Sequence, residues 1–70
     1  MELNKRLKEL RKIHKITQVQ AALGSEMTER AYQRLEAGHS PSYEALIALA
    51  DYFDVSLDYL VGRSDVPERR

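Results

Sequence analysis

The chain has 70 residues, 43% of them apolar and 31% charged, and contains no cysteine. This length allows one small domain, since two hydrophobic cores need well over about 100 residues, and the composition is that of a globular rather than a disordered chain. The lack of cysteine excludes disulfides, zinc–thiolate sites and thiol nucleophiles, and suits a reducing compartment. No apolar run has the length of a signal peptide or membrane span, so we expect a cytoplasmic protein without a membrane partner.

Charges balance overall but are unevenly distributed. Eleven Lys and Arg residues oppose eleven Asp and Glu, for a formal net charge of zero. Residues 1–15 hold six basic and two acidic side chains, whereas residues 41–62 hold four acidic side chains and no Lys or Arg. Any surface that binds nucleic acid must therefore be local.

Apolar side chains at helical spacing predict a first helix over residues 2–14. The stripe consists of Leu3, Leu7, Leu10 and His14. We expect His14 to pack near helix carbonyls rather than to bind a metal. The only other histidine, His39, is expected on a distant loop, and the chain has no cysteine that could serve as a second ligand. No metal site is predicted.

Capping residues predict the starts of four further helices. They are Thr17, in a capping box with Gln20, and then Thr28, Ser42 and Ser56. Gly24 is expected to end the second helix and Gly38 the third. Residues 63–70 form a charged tail with little to bury, which we expect to be frayed and flexible. Because no strand-like alternation occurs, the predicted fold class is all-α.

The third predicted helix has a polar side. The side expected to face the core carries Thr28, Ala31, Tyr32 and Leu35. Arg30 and Gln33 point the other way, with Glu29 and Arg34 at the edges. An arginine can donate two hydrogen bonds to guanine, and a glutamine can pair with adenine. From this pattern alone, a solvated helix face is an equally good interpretation.

Three segments, taken in order, favour the base-reading interpretation. They are Thr17-Gln18, RLEAG at residues 34–38 and VSLDYL at residues 55–60. Together with the helices around them, they closely resemble the lambda-repressor-like (XRE-type) helix-turn-helix domain over roughly residues 3–62. The resemblance implies a five-helix domain in residues 1–62 that binds double-stranded DNA with its third helix in the major groove.

The resemblance also implies roles for individual residues. Base-reading positions fall on Thr28, Glu29, Arg30, Gln33 and Arg34. Phosphate-positioning groups are Thr17 and Gln18 at the start of the second helix and His39, Ser40 and Ser42 after the third. Glu36 is implied to form a structural ion pair with Arg11. No catalytic residue and no cofactor are implied.

The sequence departs from the family pattern in the turn before the third helix. Ser25 and Glu26 stand where the family usually has a large apolar residue and a glycine. Since Leu23 and Gly24 supply such a pair two residues earlier, we expect a shortened second helix followed by a longer turn.

A small number of cationic groups predicts weak DNA binding by a monomer, and therefore a homodimer on a roughly palindromic operator. The dimer contact is expected at the apolar segment just before the charged tail; the alternative is that this segment only closes the core. Its residues are Leu57, Tyr59, Leu60 and Val61.

The leading hypothesis is a transcriptional regulator, most often a repressor in this family, associated with the nucleoid. The alternative is a protein-interaction or antitoxin-like module, favoured by the neutral net charge and by Glu29. An enzyme is disfavoured because the glycines form no phosphate-binding loop and the chain offers little room for a pocket of about 300 Å³.

Overall fold

The computed structural model describes residues 2–69. Five helices and no strand occur in this range: α1 (Leu3–His14), α2 (Gln18–Gly24), α3 (Glu29–Glu36), α4 (Tyr43–Phe53) and α5 (Leu57–Leu60). The predicted five-helix, all-α fold is confirmed. None of these helices is long and apolar enough to cross a membrane.

Side-chain caps begin α2 to α5 where the sequence predicts them. Thr17 accepts a hydrogen bond from the Gln20 backbone at 3.1 Å, and the Gln20 side chain accepts one from the Thr17 backbone at 2.8 Å. Thr28, Ser42 and Ser56 each accept from the backbone N–H three residues later, at 3.0 to 3.1 Å. Each cap satisfies a backbone donor that has no partner within its helix, and so fixes where that helix starts.

The expected roles of Leu23 and Gly24 are wrong. Leu23 is 73% exposed and supplies nothing to the core, whereas Ser25 is only 3% exposed. The Ser25 hydroxyl donates to the Ala21 carbonyl at 2.6 Å, so this small polar side chain is buried with its hydrogen bond satisfied. Glu26 takes the left-handed conformation, with φ of 57°, that glycine usually supplies in such a turn. Gly24 is the last residue of α2 rather than the residue after it.

The core is formed by side chains from all five helices and from Val55. Its members are Leu3, Leu7, Leu10, Ala21, Ala22, Tyr32, Leu35, Leu49, Ala50, Phe53, Val55, Tyr59 and Leu60. The stripe predicted for α1 is confirmed for its leucines, but His14 is exposed and its ring lies 5.6 Å from that of Phe53.

The expected dimer contact requires correction, because Tyr59 and Leu60 are buried in the core. Leu57 is 38% exposed and Val61 is half-buried, so only these two of the four residues reach the surface.

Residues 64–69 lie against the helices. The Pro67 carbonyl accepts a hydrogen bond from the Ser56 backbone at 2.9 Å, and Arg69 pairs with Asp51 at 2.7 Å. These contacts differ from the expectation of a frayed tail. That expectation was based on the charge of the tail and on how little it has to bury, and neither property reveals backbone and ionic partners on the helices.

Candidate nucleic-acid interface

Helix α3 has one buried side and one exposed polar side. Tyr32, Leu35 and Glu36 are buried. The exposed residues Glu29, Arg30, Gln33 and Arg34 are called the polar face of α3 below. Thr28, which was expected to face the core, is the exposed N-cap, and Ala31 is exposed as well. Glu36 is also buried on this side, and because it is charged, a search for apolar residues at helical spacing does not identify it.

A buried ion pair joins α3 to α1. The Arg11 guanidinium donates through Nε to Glu36 Oε2 at 2.5 Å and through a second nitrogen to Glu36 Oε1 at 2.9 Å. The side chain of Glu36 is 4% exposed and that of Arg11 23%. Two parallel hydrogen bonds to a buried carboxylate fix both the distance and the rotation of α3 relative to α1.

The surroundings of Glu36 favour its charged form. Burial alone would raise the pKa of this carboxyl, but the donors around it, Arg11 first, outweigh burial and hold the pKa below its ordinary value. Burial raises the pKa of Tyr32, and the neighbouring Glu36 carboxylate raises it further. The Tyr32 hydroxyl has no hydrogen bond of good geometry within residues 2–69.

A hydrogen-bonded chain runs from the buried pair to the polar face of α3. Gln18, at the first position of α2, donates through Nε2 to Glu36 Oε1 at 3.1 Å. Gln33 Nε2 donates to Gln18 Oε1 at 3.4 Å and to Glu29 Oε2 at 3.1 Å. Gln18, expected only to position phosphate, is therefore also in contact with a residue expected to read bases.

The sequence reasoning missed this chain of contacts. Glu29 and Gln33 are four residues apart on one helix, and this spacing could have indicated their contact. No comparable signal exists for Gln18, because its partners lie on another helix.

A second group of predicted residues meets at the other end of α3. Arg34, His39, Ser40 and Ser42 line a shared groove of about 300 Å³ between α3 and the start of α4. The Ser42 oxygen accepts the capping hydrogen bond of α4, as Thr17 does for α2. Each hydroxyl hydrogen is therefore still available to donate to a phosphate.

A larger surface groove of about 500 Å³ lies between α2 and α4, with Glu26, Glu44, Asp51 and Tyr52 among its lining residues. The expectation that this chain has little room for a pocket of 300 Å³ is therefore wrong as to size, although both spaces are open grooves on the surface rather than enclosed cavities.

A metal site was not predicted. Among residues 2–69, the structure shows no cluster of three or more His, Asp or Glu side chains that could hold a metal ion.

Comparison with known proteins agrees with this geometry. The family described as Helix-turn-helix matches residues 7–60. The chain is 39% identical over 64 residues to a protein of Bacillus subtilis (strain 168) named "Uncharacterized HTH-type transcriptional regulator YobD". That alignment covers 90% of this chain and 57% of the relative, so the chain spans a little over half the length of the relative. No solved structure matches significantly. With its five helices and a match over most of its length, the chain belongs to the lambda-repressor-like helix-turn-helix family of DNA-binding transcriptional regulators.

Proposed function

We propose that this domain binds double-stranded DNA sequence-specifically, with α3 in the major groove, and represses transcription by occupying its operator. The observation that carries the proposal is the polar face of α3, where Arg30 and Arg34 are exposed. Neither forms an ion pair within residues 2–69, whereas Arg6, Arg11 and Arg69 all do. Two unpaired guanidinium groups on one exposed helix can donate to guanine, the commonest specific contact in the major groove. This function needs no enzymatic step and no cofactor.

Groups at both ends of the polar face suit phosphate binding. Thr17 and Ser42 each have a hydroxyl hydrogen left to donate, and His39 and Ser40 are exposed beside Ser42. Gln18 uses one hydrogen of its amide nitrogen toward Glu36, so the second remains for a phosphate. We assign these residues to holding the duplex in register rather than to reading its sequence.

The shortage of cationic groups leads us to propose a homodimer on a roughly palindromic operator. Only Arg30 and Arg34 on the polar face carry positive charge, and Glu29 opposes them. Two copies would double the phosphate contacts and read half-sites about 34 Å apart. Leu57, at 38% exposure, and the half-buried Val61 are the parts of this apolar segment available for contact between copies. Such a regulator would act in the cytoplasm, on the nucleoid.

The test is binding measured at several salt concentrations, with a duplex enriched from a random pool and a scrambled duplex of equal composition. We expect about 1000-fold or tighter binding to the enriched duplex. The logarithm of its affinity should fall linearly with the logarithm of salt concentration, by about 0.9 per phosphate contact. Equal affinity for both duplexes, or no binding to either, would exclude the proposal.

A protein-interaction or antitoxin-like module is the second candidate, and two observations favour it. Leu23 exposes 73% of its surface, and Glu29 places a negative charge on the polar face of α3. This candidate expects no duplex to be enriched at any salt concentration. It also expects that any weak, nonspecific binding of the domain to DNA is unchanged in Arg30→Ala and Arg34→Ala.

A further inference from the structure

Two carboxylates fix the direction of the hydrogen bonds beneath the polar face of α3. An ionised carboxylate only accepts hydrogen bonds, so the end of a glutamine amide that faces one must be its nitrogen. Glu36 accepts from Gln18 Nε2 at 3.1 Å, and this contact turns the Gln18 oxygen away from the core. That oxygen is the atom that Gln33 Nε2 meets at 3.4 Å. The buried ion pair therefore determines which atom of Gln18 is presented to Gln33.

Glu29 completes the arrangement from the first turn of α3. Its Oε2 accepts from the same Gln33 nitrogen at 3.1 Å. Both hydrogens of Gln33 Nε2 are then engaged, one by Gln18 and one by Glu29. What Gln33 and Glu29 have left for a ligand is the Gln33 amide oxygen and the carboxylate oxygens of Glu29, all of them acceptors.

We infer that Glu29 and Gln33 act as one acceptor-only unit that reads the exocyclic amino group of a cytosine at one base pair of the operator half-site. This inference rests on the proposed function. In the major groove, guanine shows two acceptors and thymine shows an acceptor and a methyl group, so neither offers this unit a donor. Adenine offers a donor beside an acceptor, and its acceptor would face a glutamine whose donors are already engaged. Cytosine offers its amino group alone.

The experiment starts from the enriched duplex bound by the wild-type domain. The base pair read by the unit is the one whose preference changes in Gln33→Met, which removes the amide at nearly constant size. Affinities are then measured for all four base pairs at that position and for a duplex with N4-methylcytosine, whose methyl group occupies the major-groove side of the amino group. Glu29→Gln adds a donor to the unit. Glu44→Gln is the matched control, because Glu44 is also an exposed glutamate in the first turn of a helix.

We expect the wild type to prefer cytosine by about 5- to 10-fold over guanine or thymine and to lose a similar factor on N4-methylcytosine. Glu29→Gln should lose this preference, and Glu44→Gln should keep it even if its overall affinity changes. A wild-type preference for guanine, thymine or adenine at this position, or a preference unchanged in Glu29→Gln, would overturn the inference while leaving the proposed function intact. Failure to enrich any duplex would instead overturn the proposed function.

Discussion

The Glu36 carboxylate accepts two hydrogen bonds from Arg11 on α1 and one from Gln18 on α2, so it joins three helices at one buried point. The helix that carries the polar face is thereby held in place by a charge in the interior. A buried charge left without its partner is strongly destabilising, since it keeps its desolvation cost and loses the compensating contacts. Stability and the presentation of the polar face therefore depend on the same pair.

Arg11→Ala should lower the free energy of unfolding by about 3 kcal/mol, the low end of the range for breaking a buried pair, because Arg11 is partly exposed. Lys12→Ala, one residue away on the exposed side of α1, should change it by less than about 0.5 kcal/mol. Urea unfolding of the three proteins provides the measurement. An Arg11→Ala protein as stable as the wild type would show that the pair does not hold α1 and α3 together.

The same pair should make stability depend on acidity. The pKa of Glu36 is lowered in the folded protein, so its contribution is fully present above the unfolded pKa of about 4.3 and is lost as the pH falls through the folded value. We expect the melting temperature of the wild type to drop more steeply between about pH 5 and pH 3 than that of Glu36→Gln. The Gln variant should start lower at pH 7. Glu44→Gln, which removes an exposed carboxyl, should retain the wild-type slope; parallel curves for all three proteins would contradict the assignment.

Gly24 allows α2 to approach α4, because a Cβ built at this position would collide with the ring of Tyr52. Gly24→Ala should therefore cost about 1 kcal/mol, with the half-exposed ring moving to limit the loss. In a Tyr52→Ala background the sign should reverse, and the same substitution should stabilise by about 0.5–1 kcal/mol through helix propensity. Unfolding of the four members of this double-mutant cycle measures the coupling. Equal effects in both backgrounds would mean that the ring does not require a glycine here.

The turn between α2 and α3 offers a gain in stability. Glu26 has φ of 57°, a conformation that costs an L-residue about 1–2 kcal/mol relative to glycine. Glu26→Gly should raise the free energy of unfolding by about 1 kcal/mol over Glu26→Ala, which removes the same carboxylate but keeps the strained backbone. Thermal melting of both variants measures the difference. If the alanine variant were the more stable, the turn would have to adopt another conformation in solution.

The parts of this fold that the sequence predicted are those set by local chemistry. Thr17, Thr28, Ser42 and Ser56 cap their helices through hydrogen bonds spanning three residues, which a linear pattern contains. The opposite case is Leu23, an apolar residue at a suitable position that is exposed because the chain buries Ser25 instead. A serine whose hydroxyl bonds to its own helix is as acceptable to the core as a small apolar side chain, and periodicity cannot distinguish the two.

The candidate site divides in the same way. Arg30, Gln33 and Arg34 were identified from the helical wheel and are exposed in the structure. The contact of Gln18 with Gln33 was not predicted, because it depends on how closely the start of α2 packs on α3. Contacts of this kind between polar side chains depend on how whole helices pack against each other, and patterns along the sequence do not specify that packing closely enough to predict them.

Base reading by the polar face of α3 should be separable from its general attraction to DNA. Arg30→Ala and Arg34→Ala should each weaken binding to the enriched duplex by about 1–3 kcal/mol and relax the preference at one base pair. Their affinities for a scrambled duplex should fall much less. Thr17→Val removes only the hydroxyl and its cap, and should weaken binding to both duplexes by a similar factor, because phosphate contacts carry no sequence information. Binding isotherms for the four proteins on both duplexes make the comparison, with circular dichroism to confirm helical content. Equal losses on both duplexes for the two arginine variants would assign Arg30 and Arg34 to the phosphates and leave base reading to Glu29 and Gln33.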